Sequence, residues 1–315
     1  MVKREELLYD SRDGQSKIYA LKWIPDMEPV CVLQIIHGMA EHMECYDHFA
    51  NFMAEHGILV VGEDHLGHGK SAADGLFGYF CDQDPATVLI RDVHRLKKMI
   101  QEENSTIPYF ILGHSMGSFM LRNYLFRYGT GIQGAIIVGT GGQSWATLIF
   151  GKGLVKFLSM FQGWKHPSDV LNKISFGSYN KRIKNCGNSM EWLSKDTTRI
   201  DSYSADSKCG FTFTLNGFKT LFELISRMQK KSNLAKIPRN LPILFASGEE
   251  DPVGKYGKCV KEVYDTYVTM GMKHVTLKLY PGDRHEIMNE VDKVQVYEDF
   301  LLWMQGVVAE CNDIE

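Results

Sequence analysis

Short apolar runs alternate along this chain with stretches in which apolar side chains recur every three or four positions. The runs at 17–24, 30–36, 58–61, 108–112, 134–138, 242–246 and 275–280 predict strands, and the one at 30–36 is β-branched and nearly all apolar. Helical spacing puts Tyr46, Phe49, Ala50 and Met53 on one face, with Gly57 placed to end that helix. Residues 85–104 predict a longer helix with Leu89, Val93, Leu96 and Ile100 facing inward, and 119–128 and 294–308 predict two more. Such alternation predicts an α/β fold with a largely parallel sheet. From about 143 to 235 the strand rhythm lapses into helical patterns rich in Lys, Ser, Asn and aromatics. That stretch is expected to be a mostly helical insertion, leaving 1–142 and 236–315 to build the sheet.

The composition narrows the classes of function. The 315 residues are 44% hydrophobic and 23% charged, enough for a large core without disulfide or metal support. A formal charge of −3 argues against a nucleic-acid partner. Seven cysteines stand at 31, 45, 81, 186, 209, 259 and 311 without a CxxC pair, which predicts free thiols in a reducing compartment. Residues 1–6 lack the apolar core of a signal peptide, and the longest apolar candidate, 145–164, carries Lys152 and Lys156. The expectation is a cytoplasmic protein.

The chemistry centres on Gly113-His114-Ser115-Met116-Gly117, a G-x-S-x-G pattern between a predicted strand and a predicted helix. A strand turning sharply into a helix presents the serine hydroxyl, and flanking glycines keep the turn free of clashes. The Met116 N–H, at a helix N-terminus, is positioned to stabilise an oxyanion. A serine so placed needs a base and an acid, expected in the order serine, acid, histidine on loops after later strands. The strand at 242–246 leads into Glu249, Glu250 and Asp251, and the strand at 275–280 leads into His285. His285 is expected as the general base and Asp251 as its acid, with Glu250 the next choice. The strand at 30–36 runs into His37-Gly38-Met39, which points to the Met39 N–H as the second oxyanion donor. A zinc site from His37, His42, His65, His68 and Asp64 is the rival arrangement. It lacks an H-E-x-x-H helix, so these histidines are expected to brace loops by hydrogen bonds. No metal or cofactor is expected.

The segment His37-Gly38-Met39-Ala40-Glu41-His42 with Tyr46, the loop Asp64 to Ser71, the Gly113 to Gly117 turn, Gly248 to Asp251, and His285-Glu286 with Glu290 together resemble the monoacylglycerol lipase and lysophospholipase branch of α/β-hydrolases, a serine aminopeptidase-type group. The resemblance implies Ser115, Asp251 and His285 as a triad, with the backbone N–H groups of Met39 and Met116 as the oxyanion hole. It implies an eight-stranded, mostly parallel sheet flanked by helices, with a helical cap inserted after the strand at 134–138. It also implies hydrolysis of single-chain acyl esters through an acyl-enzyme, on a small-molecule or lipid ester substrate. Alternatives are a short-chain or aryl carboxylesterase, an amide or peptide hydrolase on the same scaffold, and a noncatalytic binding protein that kept the fold. Many relatives carry a smaller residue where Met39 stands, so Met39 is expected to narrow the acyl side of the pocket.

At the start of the implied cap, Ser144, Lys152, Lys156, Ser159 and Gly163 form a narrow polar stripe. Trp145, Leu148, Ile149, Leu154, Val155, Leu158 and Phe161 cover most of the rest. That is more apolar surface than one packing contact needs. Either both sides are buried against the sheet and the rest of the cap, or one lines an acyl tunnel while another makes transient contact with a membrane surface, its lysines near the head groups.

Overall fold

The structure is a computed structural model that describes residues 1–184 and 186–312, the last two by their backbone alone. The thiol expected at Cys311 thus lies outside the described side chains; the other six cysteines are free.

Eight strands form one sheet: β1 (Lys3–Asp10), β2 (Lys17–Ile24), β3 (Cys31–Ile36), β4 (Ile58–Glu63), β5 (Tyr109–His114), β6 (Gly134–Val138), β7 (Ile243–Gly248) and β8 (Val275–Tyr280). They lie in the order β1-β2-β4-β3-β5-β6-β7-β8. β1 and β2 form an antiparallel hairpin, β2 meets β4 antiparallel, and every later pairing is parallel. The sheet is therefore mostly parallel, in accord with its apolar strand sequences.

Those sequences are apolar because both faces are covered. Alternate residues of each strand feed two cores. Val32, Ile111, Ile137 and Phe245 point into one, shared with α2 (Pro85–Glu103) and α3 (Met116–Tyr128). Leu33, Leu112, Ile136 and Leu244 point into the other, shared with α1 (Asp47–Glu55) and α10 (Lys293–Asn312). The predicted helix at 294–308 falls inside α10, and Phe49, Ala50 and Met53 do face the sheet from α1. β1 was not anticipated: its Lys-Arg-Glu-Glu start hides the period, and it packs at an open edge with Leu8 exposed. Nor was α9 (Lys258–Thr269), which buries Cys259, Val260, Val263 and Tyr267.

Between β6 and β7 the chain makes no strand of the sheet. It forms α4 (Trp145–Gln162), α5 (Asp169–Phe176), α6 (Thr197–Ala205), α7 (Leu215–Met228) and the short α8 (Lys231–Leu234). Ser144, Ser168, Asp196 and Thr214 each accept a backbone N–H at the start of the helix that follows, which fixes where four of these helices begin. α7 joins this segment to the body of the fold. Phe218, Leu221 and Leu224 enter the same core as α3, and Asn123 donates to the Leu224 carbonyl at 2.9 Å.

Candidate active site

β5 ends at His114, and α3 begins at Met116. Ser115, alone between them, has φ 52° and ψ −119°. Positive φ is costly for a residue with a Cβ, so surrounding structure must hold it. A Cβ on Gly117 would stand 1.9 Å from the Ile36 carbonyl oxygen, and one on Gly113 2.4 Å from that of Gly117. Any other residue at either position would push α3 off the sheet. The Ser115 N–H donates to the Val138 carbonyl at 3.0 Å, closing the turn.

His285 and Asp251 approach from the loops after β8 and β7. His285 Nδ1 lies 3.0 Å from Asp251 Oδ2, and both side chains are buried. Asp251 also accepts from the Val253 N–H at 2.8 Å and the Ser247 hydroxyl at 3.2 Å. Glu249 and Glu250 are exposed. Of the three carboxylates, the structure brings Asp251 to the imidazole. Both ring nitrogens of His285 are buried; among the described residues Nδ1 has Asp251 at 3.0 Å without the alignment of a hydrogen bond, and Nε2 has no partner. Trp192, from the segment between α5 and α6, lies with its ring 5.1 Å from that of His285.

The loop after β3 holds the N–H groups on either side of Met39. Gly38 donates to Glu41, and the Ala40 N–H donates to His68 Nε2 at 3.3 Å. Met39, between them, lines the same cavity as Ser115, Met116 and His285. Burial and the nearby His65 drive the His68 pKa down to about 3, so the ring stays neutral and keeps Nε2 free to accept. The Ala40 carbonyl, in turn, accepts from the Gly210 N–H at 2.9 Å and the Tyr203 hydroxyl at 2.8 Å, both from the helical segment. The histidine cluster braces loops: His65 N–H donates to His37 Nε2 at 3.0 Å, and the two rings stack at 3.9 Å.

Beneath the site runs a charged network that the sequence did not announce. Tyr46 donates to Glu41 at 2.7 Å, and His114 Nδ1 lies 3.3 Å from the same carboxylate. Burial opposes charge on both partners. The contact with Glu41 nevertheless raises the His114 pKa, and the contact with His114 lowers that of Glu41. Arg199 on α6 pairs through Nε with Glu286 at 2.6 Å, through its other nitrogen at 3.2 Å, and reaches Glu41 at 3.9 Å. Glu41 and Glu286 belong to the motifs noted above. Nothing in the sequence pattern marked Arg199, which comes from the part of the chain that resembles the family least.

Above these groups lies a cavity of about 530 Å³. Ser115 and His285 are among the residues that line it. Leu148 and Leu154 of α4, Leu171 of α5 and Phe222 of α7 are among the apolar residues that line it. Met39 is also among the residues that line it.

Comparison with known proteins agrees with this architecture. Residues 27–292 match the hydrolase family described as "Serine aminopeptidase, S33". The "Monoacylglycerol lipase" of Mycolicibacterium smegmatis is 26% identical over 286 residues, 90% of this chain and 90% of that one. The "Monoglyceride lipase" of Rattus norvegicus is 25% identical over 305 residues, 94% of this chain and 89% of that one. A thermostable carboxyl esterase from Bacillus coagulans, solved with glycerol, superposes with a TM-score of 0.90 at 30% identity, covering 98% of this chain and 100% of that one. With the fold, the elbow at Ser115 and a family match over most of its length, the chain is an α/β-hydrolase and belongs to the serine aminopeptidase S33 family of serine hydrolases.

Proposed function

We propose that this protein hydrolyses single-chain acyl esters of the monoacylglycerol or lysophospholipid type. The observation that carries the reading is the mostly apolar cavity with Ser115 and His285 on its wall. A pocket of that kind accepts an acyl chain and offers little to a charged peptide end. Ser115 Oγ attacks the ester carbonyl. His285 Nε2, free of other partners, takes the serine proton and returns it to the leaving alcohol. Asp251 holds Nδ1 and stabilises the imidazolium. The N–H groups of Met39 and Met116 receive the developing oxyanion, and each such donor is worth on the order of 10²–10³ in rate. Water activated by His285 then releases the fatty acid from the acyl-enzyme.

Residues 143–235 act as the cap in this reading. Trp145, Ile149, Phe150, Phe157, Met160 and Phe161 on α4 are exposed. Among the described residues no helix is long and apolar enough to cross a membrane. An exposed apolar helix face of this kind suits surface contact with a lipid aggregate. The unpaired thiols favour a cytoplasmic setting.

The test is turnover on monoacylglycerols and lysophospholipids of graded chain length, beside a short nitrophenyl ester and an aminoacyl amide. The single-chain lipids should be the better substrates, and Ser115→Ala should lose roughly 10³-fold or more on all of them. Preference for the amide, or for the short ester over every lipid, would overturn the substrate reading. Near wild-type turnover by folded Ser115→Ala would overturn the mechanism.

A further inference from the structure

His42, Cys45 and Cys209 lie outside the hydrolytic groups, yet they meet at the junction between the helical segment and the loop after β3. Among the described residues they form one cluster of three metal-ligating side chains whose donor atoms all fall within 4.8 Å of one another. His42 and Cys45 sit in an H-x-x-C spacing on a single turn, closed by the Cys45 N–H donating to the His42 carbonyl at 3.0 Å. Cys209 comes from the far side of the fold in sequence, three residues after Asp206 in a D-x-x-C spacing.

Three features of the cluster suit a tetrahedral ion. Two thiolates bound to one Zn²⁺ at about 2.3 Å stand about 3.8 Å apart, the edge of the tetrahedron. The sulfurs of Cys45 and Cys209 are 3.7 Å apart. His42 Nε2 lies 2.8 Å from Asp206 Oδ2. A carboxylate on the remote ring nitrogen is the arrangement that orients metal-bound histidines and leaves the other nitrogen, here Nδ1, to bind. Glu44 Oε2 lies 3.9 Å from His42 Nδ1 but falls outside the set of donors within 4.8 Å of one another, so the fourth position is left to water. Its other oxygen lies 3.5 Å from Arg4 and 4.0 Å from Lys70. His42 is buried and both cysteines are half-buried, which leaves an entry path from solvent.

We propose that His42, Cys45 and Cys209 form a binding site for Zn²⁺ or a similar thiolate- and imidazole-preferring metal ion, with Asp206 orienting the histidine. This differs from the rival zinc arrangement of the sequence analysis, whose other histidines are occupied in bracing loops. The ion is structural and takes no part in ester cleavage. It ties the loop holding Met39 to the helical segment at a second point beside the contacts that already meet at the Ala40 carbonyl. Binding releases the thiol protons and adds its free energy to that of the folded state. The inference stands independently of the substrate reading.

The experiment uses the full chain, reduced and stripped of metal. Co²⁺ should bind at one per chain with the intense absorption of tetrahedral thiolate ligation, Zn²⁺ should displace it, and Zn²⁺ should raise the melting temperature. Cys45→Ser and Cys209→Ser should each lose the thiolate band and the thermal shift, while Cys186→Ser, which changes an exposed cysteine, should keep both. Asp206→Asn should weaken binding roughly 10–100-fold without abolishing it. Circular dichroism and fluorophosphonate labelling establish that each variant is folded. If one cysteine variant fails to fold, the other and Asp206→Asn carry the test. Absence of a thiolate band in the wild type, or a band unchanged in the cysteine variants, overturns the proposal. So does a Cys45–Cys209 disulfide formed with oxidised glutathione in a protein that binds no metal when reduced.

Discussion

At the scale of single residues, the site depends on a conformation the chain would not choose alone. Ser115 is held at positive φ because two glycines let β5, α3 and the end of β3 approach closely. That closeness sets the sharp turn from β5 into α3, and it also puts the Met116 N–H at a helix N-terminus. The choice among carboxylates is equally local. Asp251 is buried with its oxygens held by Val253 and Ser247 and with His285 Nδ1 3.0 Å away, while its neighbours point to solvent. Asp251→Asn should therefore lower kcat by on the order of 10⁴, since an amide favours the wrong imidazole tautomer. Glu250→Gln should stay within a few-fold of wild type in the same steady-state assay. The reverse pattern would show that the wrong carboxylate has been assigned. The proposed site residues Ser115, Asp251, His285 and Met39 could be picked out in the sequence because each follows a strand with a strong apolar signal. Arg199 was not, because its partners Glu286 and Glu41 are separated from it by long stretches of chain, and a lone arginine on a polar helix has no pattern.

At the scale of elements, α4 resolves a choice that sequence left open. Its apolar circumference allowed burial on both sides, but only Leu148, Gly151 and Val155 are buried. Gly151 lets the helix approach α7, where an added Cβ would meet the Phe222 ring at 2.9 Å. Leu154 reaches the cavity and Leu158 packs against the core, while Ile149 and Phe161 are 71% and 75% exposed. The stripe of lysines divides too. Lys152 is engaged with Glu223 at 2.7 Å and is not free for head groups, whereas Lys156 is exposed. Two kinds of substitution should consequently behave differently. Leu154→Ser with Leu158→Ser should depress long-chain ester hydrolysis about tenfold more than short-ester hydrolysis, since each half-buried leucine is worth part of the about 1.5–3 kcal/mol that full burial gives. Ile149→Ser with Phe161→Ser should spare the short ester and cut binding to phospholipid vesicles on the order of 100-fold. Vesicle co-sedimentation beside both ester assays reads the difference, and identical behaviour of the two double variants would refute the division of faces. Two elements escaped the sequence for physical reasons. β1 is an edge strand whose residues are mostly polar, and the period of α9 is short and follows a crowded polar loop.

At the scale of the whole molecule, acid should weaken the fold through the buried histidines. His68 is held near 3 by burial and by His65, well below the value of roughly 6.5 for a histidine in the unfolded chain. Its neutral form thus contributes stability that is present above about 6.5 and is lost as pH falls toward 3, by at most about 1.4 kcal/mol per pH unit. Urea unfolding at pH 7, 6 and 5 should show wild type losing stability relative to His68→Asn as the pH drops, and a pH-independent difference would mean that the ring titrates alike in the folded and unfolded chain. The strand order has a consequence in time. β3, β4 and β5 form the middle of the sheet, and β6, β7 and β8 are then laid beside them one after another as the chain lengthens. Domains generally fold as they leave the ribosome, from the N-terminal end. Ser115 is made before the loops bearing Asp251 and His285, which follow β7 and β8. On the proposed mechanism, a nascent chain therefore carries Ser115 without a base to activate it until the loops after β7 and β8 have both been made.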